Sequence, residues 1–467
     1  MTTRIFARGI DFDAVRREFA LPGTFPPAAW SEALAARDRF AAERADRTDI
    51  ALVTIDPPTS MDLDQAVHLE RTATGFVLHY AIADVAAVVE PGGALDIETR
   101  RRGQTFYLPD GSSPLHPRVL SEDAASLLPG RVRPAALWRI EVDERAEPVS
   151  FGVTRALVRS VARFDYAGVQ ADSDSGSLHP SIAALPEFGK LRMASALDRG
   201  AIELKLPEQE VVADGSGWRL DVAPRTDVDD WNAEVSLLTG MCAARLMQRA
   251  GIGLLRTLPP APADEVHALR RTARALGLAW PDRLPVGAML AALEPNTPDT
   301  LVMMSEATAL LRGAGYAAFD GTVPELVAHS GIGAPYAHVT APLRRLSDRF
   351  GTEICLAVSA GTEVPQWVRD ALTTLPDIMR GSDSLAGKVD RACLDVAEAS
   401  VLAGREGERF DAVVLRGANG KRDAEVFVTD PVVIAKCAGS PPEGERLSVR
   451  LTAADVDART VRFAYDG

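Results

Sequence analysis

Hydrophobic positions change rhythm twice along the chain. Up to about residue 48 the sequence is rich in Ala and Arg, and Ser31 is placed to cap a helix running through EALAARDRFAAERADR. Between roughly 50 and 395, strand and helix patterns interleave. GFVLHYAIADVAAVV (75–89) is apolar and β-rich, as a buried central strand requires. AEVSLLTGMCAARLMQRAG (233–251) sets Val235, Leu238, Cys242 and Leu246 at helical spacing and stops on Gly251, which predicts a buried helix. DEVHALRRTARALGL (264–278) predicts a second, more exposed one. After Gly404 and Gly407 the period shortens. FDAVVLRG, DAEVFVTDPVVIAKC, ERLSVRLTAADV and RTVRFAYDG alternate like short strands with turns between them. A small antiparallel barrel of the OB kind fits this spacing, and an ordinary β-subdomain stays open on pattern alone. The fold class expected is therefore α+β, a large mixed α/β body followed by a small β-barrel.

Composition narrows the setting. Hydrophobic residues at 46% and charged residues at 25% provide a large core. No run approaches the ~20 apolar residues of a membrane span, and the N-terminus meets charge before any apolar run forms. The four cysteines (Cys242, Cys355, Cys393, Cys437) are widely separated and read as reduced, buried thiols rather than a disulfide or zinc framework. A cytoplasmic protein is expected. The net charge of −14 argues against nonspecific wrapping of nucleic acid, but a basic channel inside an acidic shell remains compatible with it.

Candidate chemistry is concentrated in ALVTIDPPTSMDLDQAVHL (51–69). An apolar strand ends at Ile55 with Asp56 at its tip. Pro57 forces Asp56 into an extended conformation, and Pro57–Pro58 stiffens the turn. Asp62 and Asp64 are two apart, so in an extended segment both point to one side. Three carboxylates converging on a point suit a hard divalent cation such as magnesium, which keeps waters and takes substrate phosphate oxygens. Carboxylates in a turn are also commonly solvated or capping, and an Asp-x-Asp alone favours that plainer reading.

The stretch TIDPPTSMDLDQAV resembles the signature of the ribonuclease II / ribonuclease R family, whose catalytic module is the RNB domain. The likeness continues in order. HYAIADVAAVV (79–89), RRGQTFYLPDGSSPLHPRVLSEDAASLLPG (101–130), ARFDYAGVQ (162–170), RGAIELKLPEQEV (199–211), WNAEVSLLTGMCAARLM (231–247) and YAHVTAPLRRLSDR (336–349) are each similar to successive family segments. Seven collinear matches are specific where one would be weak.

The resemblance implies an RNB-type catalytic domain (49–395) and an OB-fold, S1-like RNA-binding barrel (405–467), and composition makes the short N-terminal segment (1–48) helical. It implies magnesium-dependent, with manganese as the substitute, 3′-to-5′ hydrolysis of single-stranded RNA to nucleoside 5′-monophosphates. By position, Asp56, Asp62, Asp64 and Gln65 fall at the metal site, and Asp64, Arg344 and Tyr166 are the catalytic candidates. Arg344 matches the arginine that meets the transition-state charge, Tyr166 the tyrosine at the scissile phosphate, and Glu234 the glutamate near the 3′-terminal ribose. Each has a plainer reading: an ion pair in the Arg344–Arg345…Asp348 run, a half-buried core tyrosine, and an exposed helix face. His338 is expected to be structural. In the barrel, Arg416, Lys421 and Arg422 are candidates for backbone contacts, though exposed turn charges commonly serve solubility alone. Phe410, Phe427, Phe463 and Tyr465 are candidates for base stacking, some of which must instead fill the small barrel's core.

Two departures stand out. Gln65 occupies a position where the family usually has Asp, which admits a catalytically silent RNA-binding protein as the alternative function. The first 48 residues are too short for the paired cold-shock barrels that larger members carry. A monomer is expected.

Overall fold

The computed structural model describes residues 7–467 apart from 208, 216, 223, 224, 296 and 421. At its centre five strands close on themselves. Leu52–Ile55 pairs antiparallel with Gln65–Thr72, that strand with Gly75–Ala83, and that one with Val132–Val142. Val132–Val142 then pairs with the 17-residue strand Pro148–Phe164, whose last residues return parallel beside Leu52–Ile55. The predicted central strand occupies Gly75–Ala83, and seven of its nine residues are buried.

Packed against this sheet is the 24-residue helix Asp227–Ala250. A capping box between Thr226 and Asp229 starts it, and Gly251 ends it in a left-handed conformation with φ of 68°. The predicted core face is fully buried at Val235, Leu238 and Cys242. Gly240 lies in the middle of that face because another segment crosses it. A Cβ there would meet the Tyr336 ring at 2.1 Å and the Ala337 carbonyl at 2.7 Å. Ala337 N–H donates to the Gly240 carbonyl, so the segment that leads to Arg344 is docked directly on helix backbone. The following helix, Leu346–Ala360, is buried from Leu346 through Ala357. The second predicted helix spans Ala263–Ala275 and buries only Leu269 and Ala273.

The N-terminal expectation needs correction. A helix is present but runs over Pro27–Ala35, so Ser31 lies inside it and caps nothing. Pro27 occupies the first turn, where its missing N–H costs nothing, and outweighs the serine signal. Asp38 and Asp84 instead draw the Arg44 guanidinium inward, and the chain goes on as the short strand Ala45–Asp46.

The 28-residue helix Leu375–Leu402 leads to the C-terminal unit. There Arg409–Arg416, Ala424–Thr429, Val432–Ala438, Thr460–Ala464 and Arg446–Asp455 form a closed barrel in that order. One parallel pair, Val432–Ala438 with Thr460–Ala464, closes an otherwise antiparallel OB-type arrangement. Ala397, Ala399, Val401 and Leu402 of the long helix share the barrel's core. All four cysteines are free and buried.

Candidate active site

The acidic loop is built from both ends. At its start, Asp56 N–H donates to the Phe164 carbonyl at 3.1 Å, extending the parallel strand pair by one bond. Beyond the two prolines, Met61–Asp64 is extended and stitched to a neighbouring turn. The Ser126 hydroxyl donates to the Met61 carbonyl and receives the Leu63 N–H, and Leu127 N–H donates to the Leu63 carbonyl. Leu63 is fully buried, so its neighbours Asp62 and Asp64 are turned to the other side, as the two-residue period requires.

Each carboxylate has its own surroundings. Asp64 is 3% exposed and accepts the Leu343 N–H at 2.7 Å. Burial pushes its carboxyl well above the ordinary range; Arg344 and that N–H oppose the shift, and Asp62 adds to it. Asp56 is raised by burial to about 7, against the attraction of Arg163 and Arg344, and its Oδ2 is buried with no hydrogen-bond partner. Asp62 accepts the Tyr107 hydroxyl at 2.9 Å. Gln65 starts the next strand and donates its side-chain amide to the Thr340 carbonyl. It therefore ties the acidic loop to the segment that bears Arg344.

That segment separates the two arginines. Arg345 turns inward and grips Asp348 through two hydrogen bonds of 3.0 and 2.8 Å. Arg344 keeps 45% of its side chain exposed and places Nε 3.8 Å from Asp64 Oδ2. The ion pair foreseen in this run thus belongs to Arg345, and Arg344 is left facing the acidic loop. Tyr166 follows the cap residue Asp165 at the start of helix Tyr166–Ser175. Its hydroxyl accepts from Asn232 at 3.3 Å, and burial raises its pKa, with the nearby Asp56 charge adding to the shift.

Glu234 is placed differently. It is buried, not on an exposed helix face, and lies in the second turn rather than at the helix start. Its neighbours Asn232 and Ser236 reach Tyr166 and Tyr80, whereas Glu234, two residues or roughly 200° around the helix from each, meets Arg192 Nε at 3.6 Å. Burial raises its pKa while Arg192 and Arg199 lower it, and its Oε2 has no hydrogen-bond partner. So the structure gathers Asp56, Asp62, Asp64, Gln65, Arg344 and Tyr166 and puts Glu234 in an arginine cluster on the opposite helix face. His338 is half-buried with its ring Nδ1 2.7 Å from the Tyr316 hydroxyl, a structural position.

The acidic loop has a donor set that fits a divalent cation: a buried Asp64 and half-buried Asp56 and Asp62 whose charges are only partly compensated, and an orphaned Asp56 oxygen. Among the described residues no three His, Cys, Asp or Glu side chains form a ready-made cage, so water and substrate phosphate would complete the shell.

The barrel candidates divide otherwise. Phe410, Phe427 and Phe463 are core residues, with Phe410 edge-on to Phe463 at 5.8 Å, and are corrected from stacking partners to packing. Tyr465 packs half-buried beside them. Arg416 is held by Glu306 at 2.7 Å, Arg422 is exposed, and Lys421 lies outside the described residues.

Sequence reasoning passed over Tyr107, Arg163, Ser126 and Asn232. All four lay in stretches already singled out, 101–130, 162–170 and 231–247, but nothing local tied any of them to the acidic loop or to Tyr166.

The chain thus combines a mixed α/β body bearing an acidic loop, an arginine facing that loop and a closed five-stranded barrel. Residues 44–353 match the RNB domain and residues 408–466 the RNase II-type exonuclease C-terminal S1 domain, so the chain belongs to the RNB family. It is 29% identical to ribonuclease R of Escherichia coli over 358 residues, covering 73% of this chain and 44% of that protein. It is 26% identical to ribonuclease R of Thermotoga maritima over 424 residues, 86% of this chain and 59% of the other. The chain spans about half the length of the curated relatives it matches. Among solved structures, the apo form of Mycoplasma genitalium RNase R shares the fold with a TM-score of 0.87 at 20% identity, over 97% of this chain and 77% of that one. Yeast Ssd1, described as a pseudonuclease, shares it with a TM-score of 0.67 at 15% identity, over 91% and 55%.

Proposed function

We propose that this chain is an active 3′-to-5′ exoribonuclease that hydrolyses single-stranded RNA to nucleoside 5′-monophosphates with magnesium, or manganese in its place. The observation that carries this reading is the pairing of Asp64 with a free arginine: a buried carboxylate held by the Leu343 N–H, with the half-exposed Arg344 at 3.8 Å. Asp56, Asp62 and Asp64 would hold the cation. When bound, it supplies water activation and stabilisation of the leaving oxygen.

The protein's own residues do the rest. Arg344 is always charged, keeps a solvent-facing guanidinium and meets developing phosphate charge. Tyr107 holds Asp62 in place, and Leu343 N–H holds Asp64. Tyr166 offers a phenol at the edge of the loop, its orientation set by Asn232. Glu234 would act on the RNA terminus only from its own face of the helix, with Arg192 and Arg199 beside it. A cytoplasmic site of action accords with four free, buried thiols, and no described helix is long and apolar enough to cross a membrane.

The second reading, a silent RNA-binding protein, rests on Gln65, whose amide is already spent on Thr340. Purified protein incubated with 5′-labelled single-stranded RNA and magnesium or manganese decides between them. Release of mononucleotides with progressive 3′ shortening is expected. RNA bound but uncut in both metals would favour the silent reading. A matched DNA oligonucleotide separates ribonuclease from general nuclease action.

A further inference from the structure

Arg163 sits at the end of strand Pro148–Phe164, next to the residue whose carbonyl receives the Asp56 N–H. Its guanidinium reaches across the base of the acidic loop. It donates to the Pro57 carbonyl at 3.2 Å and the Pro58 carbonyl at 2.6 Å, and its other terminal nitrogen lies 3.7 Å from the Met61 sulfur. Among the described residues it forms no ion pair within 4 Å, although its charge acts on Asp56. Two consecutive prolines have no N–H with which to anchor their own turn. Among the described residues the turn is otherwise closed only by Ser60 N–H on the Pro57 carbonyl at 3.0 Å. One terminal nitrogen, with its two N–H groups, grips both successive carbonyls, and the planar guanidinium sets the other nitrogen toward Met61.

We infer that Arg163 is a positioning residue: it clamps the Pro57–Pro58 turn so that Asp56 and the Asp62–Asp64 pair converge on one cation. This rests on the metal-dependent reading above and extends it to a side chain that is not itself a ligand. Residues supporting a metal site from outside the ligand shell cost about 10- to 100-fold in affinity when removed.

The test uses the full chain and manganese alone. Mn2+ affinity is measured by electron paramagnetic resonance for the parent protein, Arg163→Met and Arg163→Lys, alongside hydrogen–deuterium exchange over residues 56–64 and RNA affinity without metal. Arg163→Met is expected to weaken Mn2+ binding by about tenfold or more and to speed exchange in the loop, with metal-free RNA affinity little changed. Arg163→Lys, which keeps the charge and donors on one nitrogen but loses the planar fork, falls between. If Mn2+ affinity and exchange are both unchanged in Arg163→Met while RNA affinity falls, Arg163 is a phosphate contact and the clamp is refuted. Should the parent protein cut no RNA in either metal, the nuclease reading fails by itself; the exchange data still decide whether Arg163 holds the loop. A general folding defect would show as faster exchange throughout the sheet, which Arg163→Lys is expected to avoid, and loss of the effect in a folded variant would likewise overturn the clamp.

Discussion

The acidic loop and the C-terminal barrel put charge and apolar side chains to opposite uses. In the barrel, aromatic residues turn inward and charges are neutralised on the spot: Phe463 is fully buried, Arg416 meets Glu306, and Lys436 meets Glu425 at 3.2 Å. In the acidic loop the charges are buried and left incompletely matched. Asp64 has only an N–H and a distant guanidinium, and Asp56 has an orphaned oxygen. Unpaired buried carboxylates cost stability and are kept only where something else uses them. The barrel is organised to be stable; the loop is organised to be completed by a ligand.

Asp64→Asn breaks that contrast most severely. The amide oxygen still accepts the Leu343 N–H, so the fold is kept, while cleavage falls by about 10³-fold or more, the scale of losing a principal electrostatic group. RNA binding measured by filter retention should stay near the parent value. Retained turnover in the folded variant would remove Asp64 from the site.

The neighbouring arginines sharpen the comparison within six residues of sequence. Arg344→Ala is expected to lower kcat by about 10²-fold with an unchanged melting temperature, because its side chain is half in solvent. Arg345→Ala strands the fully buried Asp348 and should cost roughly 3–5 kcal/mol of stability. Single-turnover kinetics and thermal melts on both variants separate the two roles; the same profile for both would erase the distinction.

How much of this was legible follows from how local each feature is. A strand tip, a proline pair and an Asp-x-Asp in extended chain fix Asp56, Asp62 and Asp64 within nine residues, and the alternation of the barrel strands fixes their inward faces. Tyr107 reaches Asp62 from 45 positions away, and Arg163 reaches Pro58 from 105. No periodicity encodes such pairings. The split between Arg344 and Arg345 depends on a tertiary pairing, in which Thr105 N–H donates to the Arg344 carbonyl and Leu346 N–H to the Gly103 carbonyl. The plainer reading of Glu234 as an exposed helix position fails because a helix face is set by what packs on it, here Arg192. In the barrel the pattern left open which aromatics stack and which pack, and Phe410, Phe427 and Phe463 all prove to be core.

The joint between the two regions carries a third test. Glu398, on the long helix, accepts Gln209 Nε2 at 2.8 Å and the Ile434 N–H at 3.3 Å, and burial raises its pKa from 4.5 to about 7. Between these values the folded state holds a proton that the unfolded chain has lost, so stability falls as pH rises through the window and levels off above 7. Glu398→Gln keeps a neutral acceptor. It should gain about 1–2 kcal/mol over the parent at pH 8 and almost nothing at pH 5. Parallel urea curves for the two proteins at both pH values would show that the joint bears no titrating charge.

Gln65→Asp is the mildest change and asks how far the loop can be pushed from the barrel's logic toward its own. The glutamine amide now donates to the Thr340 carbonyl; an aspartate would face that carbonyl with no proton to give. In metal-free protein the variant should lose about 1–2 kcal/mol, the scale of a buried acceptor left unpaired beside a charge. Added magnesium offsets that loss, because a fourth carboxylate raises the charge available to the cation. The half-saturating magnesium concentration for RNA cleavage should therefore fall as the metal-free melting temperature falls. Both shifts together mean that Gln65 trades metal affinity for a preassembled loop. A lower melting temperature with an unchanged magnesium requirement would leave Gln65 as a tether alone and place the cation on the Asp56, Asp62 and Asp64 side.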